Sequence, residues 1–220
     1  MKNRFDAIIF DLDGTLLDTL KDLVLSMNRA LRQLGYPEHP VDIYRYFVGE
    51  GAAILAERAL PPERRSPDEI ERLKQIFLQD YGDHWQDHTG PYQGIPETLD
   101  QLRRISKAMG VLSNKPHDFT TMCVKNYFRP ELFKAVWGEN SQRPRKPDPK
   151  GALMMAELFG VEPAKTLYVG DTSIDMKTAR SAGMYPLGVL WGFRDQEELL
   201  KSGAKTIASR PEEIIEFFQS

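Results

Sequence analysis

The sequence predicts an α/β fold, a doubly wound parallel sheet with a helical segment inserted after its first strand. Three observations carry this. Short, continuously apolar runs at residues 7–10, 109–113, 166–169 and 187–191, with weaker ones at 135–137 and 206–208, have the character of strands buried on both faces. Helical periodicity fills the intervals between the later runs, and strand–helix alternation builds parallel sheets. From about residue 20 to residue 88 the alternation fails, and the patterning is helical with no convincing strand.

The elements follow in order. Ala7-Ile8-Ile9-Phe10 is the first strand and stops at Asp11. Residues 19–34 read as a helix halted by Gly35-Tyr36-Pro37, and 41–47 and 52–60 as shorter helices, the second ended by Pro61-Pro62. Ser66 is an N-cap with Pro67 at the first turn, opening a helix expected to run to His88. The chain therefore divides into a core of residues 1–18 and 91–220 and a helical unit of residues 19–90, with hinges near Asp18 and Gly90-Pro91. In the core, residues 96–106 place Leu99, Leu102 and Ile105 at three-residue spacing. Residues 150–159 carry Leu153, Met154 and Leu158, and residues 175–182 form a helix just after Gly170-Asp171.

Bulk properties exclude several function classes. A net charge of −3 gives no electrostatic case for binding nucleic acid or an anionic membrane. No apolar stretch approaches the ~20 residues of a membrane span. Residues 1–6 run straight into the first strand without a signal-peptide pattern, so a cytoplasmic location is expected. The single cysteine, Cys123, allows no internal disulfide and reads as a small buried hydrophobe. No coiled-coil seam or obvious interface is visible; the sequence leaves the oligomeric state open and is compatible with a monomer whose helical unit is its own lid.

In a doubly wound fold, ligands sit at the carboxyl ends of the strands. That edge would gather Asp11 and Asp13, then Ser113 and Asn114, then Asp171 and Asp175, with Lys146 just before the helix that leads into the 166–169 strand. Four carboxylates with a hydroxyl, an amide and an ammonium suit a hard cation and a phosphate. Mg²⁺ takes one or two carboxylates, waters and phosphate oxygens, and Asp11 and Asp171 are suitable ligands. The backbone N–H groups of a turn at Gly14, the Ser113 hydroxyl and Lys146 would supply donors to a phosphoryl group. A carboxylate can attack phosphorus, and Asp13, two residues on, would be the nearby general acid–base.

"DLDGTLLDT", "LSNK", the lysine of "RKPDP" and "GDTSIDMKTAR" resemble the four motifs of the haloacid dehalogenase-like phosphatase superfamily, in chain order and approximate spacing. The helical segment resembles that superfamily's first-type cap. The resemblance implies a Rossmann-like core, with Asp11 as nucleophile and Asp13 as acid–base, Ser113 and Asn114 holding the phosphoryl group, and Lys146 neutralising charge. It further implies Asp171 as a direct Mg²⁺ ligand, Asp175 supporting the metal or anchoring the lysine, the Asp13 carbonyl as a further ligand, and Thr15 orienting Asp13. The dehalogenases lack the aspartate two residues after the nucleophile and the ion pumps carry threonine there; Asp13 favours rapid phosphate-ester hydrolysis.

Substrate choice would lie in the helical unit. Val48-Gly49-Glu50-Gly51 lacks the third glycine of a dinucleotide loop, since Ile54 holds that place, and no strand precedes it. A loop closing over a small phosphorylated metabolite fits better. This stretch and Trp191-Gly192 are similar to the phosphoglycolate phosphatase branch, with Arg45 a candidate for a substrate carboxylate. β-Phosphoglucomutases share the motifs but usually carry a His-Arg stretch not found here. Pyrophosphatase and nucleotidase activities, and a non-catalytic phosphate-binding module, remain alternatives. His84 and His88 are four residues apart, but Trp85 stands where a zinc H-E-x-x-H motif needs glutamate. His117 reads as an exposed loop residue, Tyr44, Tyr46 and Phe47 as packing, and Arg143, Arg145 and Lys146 as too small a basic cluster for nucleic acid.

Overall fold

The structure is a computed structural model describing residues 4–106, 108–140 and 142–218. Its strands are β1 (Ala7–Phe10), β2 (Leu17–Asp18), β3 (Gly90–Pro91), β4 (Ala108–Pro116), β5 (Ala135–Glu139), β6 (Thr166–Gly170), β7 (Tyr185–Val189) and β8 (Thr206–Ala208). Its helices are α1 (Leu20–Gln33), α2 (Val41–Phe47), α3 (Ala52–Ala59), α4 (Pro67–His84), α5 (Ile95–Ile105), α6 (His117–Tyr127), α7 (Lys150–Phe159), α8 (Ser173–Ser181) and α9 (Gln196–Ser202).

Six strands form one parallel sheet in the order β5-β4-β1-β6-β7-β8. The chain builds outward from β1 through β4 to β5, then returns to β6 on the other side. β1 is thus the topological switch point, and the carboxyl ends of β4, β1 and β6 lie side by side. Both faces of β1 are buried. Ile8 and Phe10 join one apolar cluster and Ala7 and Ile9 the other, as the two-residue alternation of a strand requires.

The helical insert packs through amphipathic faces. Leu20, Leu23, Val24, Met27 and Leu31 form the buried stripe of α1, and Leu73, Phe77 and Tyr81 that of α4. Ser66 caps α4 by accepting from the Glu69 N–H at 3.3 Å. These side chains and Tyr44 share a cluster with Phe10 and Leu12, so the insert is continuous with the apolar face of the sheet above β1. The two connections to the insert run together: Leu17 pairs with Pro91 and Asp18 with Gly90, antiparallel. Beside them the buried Asp22 carboxylate accepts from the Thr89 N–H and hydroxyl, each at 2.8 Å, and from the His88 N–H at 2.9 Å. Burial pushes the Asp22 carboxyl up, and these hydrogen bonds outweigh it and hold the group below its ordinary range.

Several boundaries differ from expectation, each for a physical reason. α4 stops at His84 because the next segment turns back to donate to Asp22. β7 begins at Tyr185, two residues early, where Leu167 gives it a partner. α6 and α9 carry no clear apolar period: α6 buries Thr120, Cys123 and Val124, and α9 buries only Leu199 of its seven residues. The His84 and His88 rings do not converge on a metal; each Nδ1 lies 2.9 Å from a different carboxylate, Asp87 and Asp22. His117 opens α6 rather than lying in a loop, and its Nδ1 accepts from the Gly138 N–H at 3.2 Å. Among the described residues no helix is long and apolar enough to cross a membrane.

Candidate active site

The switch point holds a compact polar cluster. Asp11 follows β1, its N–H bonded to the Val169 carbonyl at 2.9 Å and its Oδ1 accepting from the Leu12 N–H at 2.7 Å. The Lys146 Nζ stands 2.9 Å from Asp11 Oδ1 and 2.7 Å from Asp175 Oδ1. Asp175 also caps α8 through its other oxygen, which accepts from the Thr172 N–H at 3.1 Å and hydroxyl at 2.8 Å. Asp171 is fully buried and accepts from the Thr15 hydroxyl and the Phe193 N–H, each at 2.9 Å. Two glycines admit it. A Cβ on Gly14, whose φ is +81°, would lie 2.3 Å from Asp171 Oδ2, and one on Gly192 would lie 2.3 Å from Asp171 Cβ.

The electrostatics of this cluster suit a bound cation. Ligand oxygens of Asp11, Asp171 and Asp175 lie within 4.8 Å of one another, all buried. Burial raises the Asp11 carboxyl well above its ordinary value, the Asp175 charge adds to this, and Lys146 opposes it. Asp171 is pushed up to about 7 by burial and by Asp175. Burial alone would lower the Lys146 ammonium, but Asp11 and Asp175 outweigh it and hold the group firmly charged. Three carboxylates against one ammonium leave two negative charges that one divalent cation neutralises, and an all-oxygen donor set suits a hard ion.

A family model described as haloacid dehalogenase-like hydrolase matches residues 8–189. The chain belongs to that family. It is 32% identical over 190 residues to a phosphoglycolate phosphatase of Pseudomonas putida, covering 84% of this chain and 70% of the relative. It is also 32% identical over 217 residues to an N-acetylmuramic acid 6-phosphate phosphatase of Pseudomonas aeruginosa, covering 97% of this chain and 94% of the relative. A crystal structure from Lactobacillus delbrueckii subsp. bulgaricus superposes with a TM-score of 0.92 at 32% identity, covering 99% of this chain and 100% of that one. The protein is a phosphatase of the haloacid dehalogenase-like family.

Within this haloacid dehalogenase-like hydrolase, Asp11, Asp13, Ser113, Asn114, Gly49 and Gly51 line one cavity between the sheet edge and the insert, with about 40 Å³ of free space. Four expectations need correction. Arg45 is not brought to this cavity: its guanidinium donates to the Gly192 carbonyl at 3.2 Å, and the residue lines a separate groove with Tyr92 and Trp191. The Thr15 hydroxyl orients Asp171 rather than Asp13. The Gly14 N–H closes a tight turn onto the Leu17 carbonyl at 2.9 Å, so it does not point to a phosphate. The Asn114 side chain is a clamp: its Oδ1 accepts from the Lys146 N–H at 2.8 Å, and its Nδ2 donates to the carbonyls of Lys146 and Gly49 at 3.0 and 3.2 Å.

Lys115 is the residue the sequence reading missed. Its Nζ lies 3.1 Å from Asp13 Oδ1 and donates to the Tyr81 hydroxyl at 2.8 Å, in a side chain 4% exposed. The available signal was position: Ser113, Asn114 and Lys115 end β4 together, where its register is irregular, and all three line the cavity.

Cation loading should depend on pH. In the unfolded chain Asp171 titrates near its ordinary 3.8, and in the folded, metal-free protein near 7. The folded state then binds more protons than the unfolded one between those values, so metal-free stability falls as pH rises from about 4 to about 7. A divalent cation needs the deprotonated carboxylate. Adding Mg²⁺ should therefore raise Tm more at pH 8 than at pH 5 in a thermal melt. Equal shifts at the two pH values would rule the triad out as the cation site.

Proposed function

We propose that this haloacid dehalogenase-like phosphatase is a cytoplasmic, Mg²⁺-dependent enzyme that hydrolyses small phosphomonoesters, with 2-phosphoglycolate as its substrate. The observation that carries the reading is a small, largely apolar cavity lined by Asp11 and Asp13 beside the buried Asp171 and Lys146. Asp11 attacks phosphorus and forms an aspartyl-phosphate while Asp13 gives a proton to the leaving ester oxygen. Asp13 then takes a proton from the water that hydrolyses the intermediate. Lys146 holds positive charge against Asp11 throughout, and the Ser113 hydroxyl faces the same cavity. Asp11 and Asp171 would hold the Mg²⁺, which supplies charge neutralisation for the phosphoryl group. The helical insert, residues 19–90, acts as a cap that keeps water from the first step and admits it for the second.

A second reading, N-acetylmuramic acid 6-phosphate, is favoured by the 97% coverage in that alignment. The small cavity, about 40 Å³ with a largely apolar wall, favours the smaller and less hydroxylated ester. The test is inorganic phosphate release with Mg²⁺ and with EDTA from 2-phosphoglycolate, N-acetylmuramic acid 6-phosphate, nucleoside monophosphates, β-glucose 1-phosphate and pyrophosphate. The expected result is EDTA-sensitive release with 2-phosphoglycolate preferred. Preference for the sugar acid phosphate would select the second reading, and conversion of glucose 1-phosphate without phosphate release would select a mutase.

A further inference from the structure

The cavity over Asp11 carries more information about the leaving group than its size. Most of its wall is apolar, from Leu23, Val48, Leu55, Phe77, Leu78 and Phe119. Apart from Asp11, Asp13, Ser113 and Asn114, the side-chain polar groups on it are the Lys115 ammonium and the Tyr81 hydroxyl. No arginine or histidine lines it among the described residues.

Lys115 is placed on purpose-built support. It extends from β4 in the sheet, lies over the Tyr81 ring at 4.6 Å from the centroid, and donates to the Tyr81 hydroxyl at 2.8 Å. Tyr81 is fixed in turn by α4, stacked on Phe77 at 5.6 Å and edge-on to Phe119 at 5.2 Å. The ammonium therefore joins the insert to the sheet at the wall of the cavity, as the Asn114–Gly49 hydrogen bond also does. Its three N–H donors meet Asp13 Oδ1 at 3.1 Å, Asp13 Oδ2 at 3.4 Å and the Tyr81 hydroxyl at 2.8 Å, and the long contact to Oδ2 is the one a carboxylate in the cavity would replace.

We propose that Lys115 reads a carboxylate on the leaving group, and that the enzyme selects compact phosphoesters bearing an anionic group one carbon beyond the ester oxygen. This rests on the phosphatase reading above, in which Asp13 touches that oxygen. Distance sets the spacing. Lys115 Nζ is 3.1 Å from Asp13 Oδ1, and Asp13 must come within about 3 Å of the ester oxygen to pass a proton. Lys115 Nζ is then at most two hydrogen-bond lengths from that oxygen, and a carboxylate bound by it at most three, a range that includes the span of a carboxymethyl group. Volume sets the size: about 40 Å³ holds a few heavy atoms. Charge sets the sign, since in an apolar enclosure an ammonium favours an anionic leaving group and the aromatic and aliphatic wall offers a sugar's hydroxyls few partners.

The experiment compares two esters with the same two-carbon skeleton, 2-phosphoglycolate and ethyl phosphate, in the native chain and in Lys115→Met. The native enzyme should prefer 2-phosphoglycolate in kcat/KM by at least about 30-fold, the scale of one charge-assisted hydrogen bond. Lys115→Met should lose that preference, mainly through a higher KM for 2-phosphoglycolate. Lys115→Gln gives the same reading should the methionine variant not fold. A lysine that only positions Asp13 would slow both esters by one common factor and leave their ratio unchanged, and that result overturns the proposal. If the native chain releases phosphate from neither ester, the 2-phosphoglycolate reading above fails. Specificity is then read by calorimetric titration of Asp11→Asn with 2-phosphoglycolate in Mg²⁺, where adding Lys115→Met should weaken binding about 30-fold and unchanged affinity overturns the proposal.

Discussion

Replacing Asp11 with asparagine is expected to lower phosphate release by about 10⁴-fold or more while leaving the fold intact. The amide removes the proposed nucleophile and the negative charge of one proposed Mg²⁺ ligand, and keeps the side chain's shape. Its oxygen can still accept from the Leu12 N–H at 2.7 Å and from Lys146 at 2.9 Å. Asp175 continues to pair with Lys146 at 2.7 Å. Burial and the Asp175 charge raise the Asp11 carboxyl, so its ionised form is a cost to the metal-free protein at neutral pH. The neutral isostere removes that cost. Metal-free Asp11→Asn should therefore melt at a temperature equal to or higher than the native chain at pH 8, with turnover lost. Retained turnover would sink the nucleophile assignment. A large fall in Tm would show that Asp11 serves the fold.

How far the site could be read from sequence depended on what each feature answers to. The strands were legible because burial on both faces demands unbroken apolar runs, and β1 supplies Ala-Ile-Ile-Phe. The convergence of Asp11, Ser113 and Asp171 then followed from parallel topology alone, since β4, β1 and β6 are neighbours. Contacts that depend on the insert's docking were not legible. Arg45 sits three residues before Val48, near the cavity in sequence, yet α2 directs it to the Gly192 carbonyl. Thr15 is two residues from Asp13, yet the tight turn at Gly14 carries its hydroxyl to Asp171. Trp191-Gly192 was visible only as a likeness to a branch. The reason for the glycine is steric, because any side chain would displace Asp171. Lys115 is the instructive omission: it lies in the LSNK motif at the same carboxyl edge as Lys146, and the two lysines serve different carboxylates.

That division of labour makes Lys146→Met the most informative change to stability and turnover together. The ammonium is 2% exposed and bridges Asp11 and Asp175, while Asp171 stands close by without a lysine of its own. Methionine fills a similar volume, so packing changes little and the loss is electrostatic. Two buried carboxylates left without their cation should cost about 3–5 kcal/mol of metal-free stability at pH 8. Turnover should fall by about 10³-fold, because charge developing on the transferring phosphoryl group loses a preorganised partner. The pH dependence has a definite sign. Removing the cation raises the Asp11 carboxyl further, the folded state binds still more protons than the unfolded one, and stability declines more steeply with rising pH. Urea unfolding should therefore show a small deficit at pH 5 and a large one at pH 8; equal deficits would mean that packing, not charge, was lost. The double variant Lys146→Met/Asp11→Asn should separate the two roles. Removing one repelling carboxylate recovers part of the stability, a non-additivity expected of groups in direct contact, while turnover stays lost because the nucleophile has gone with it.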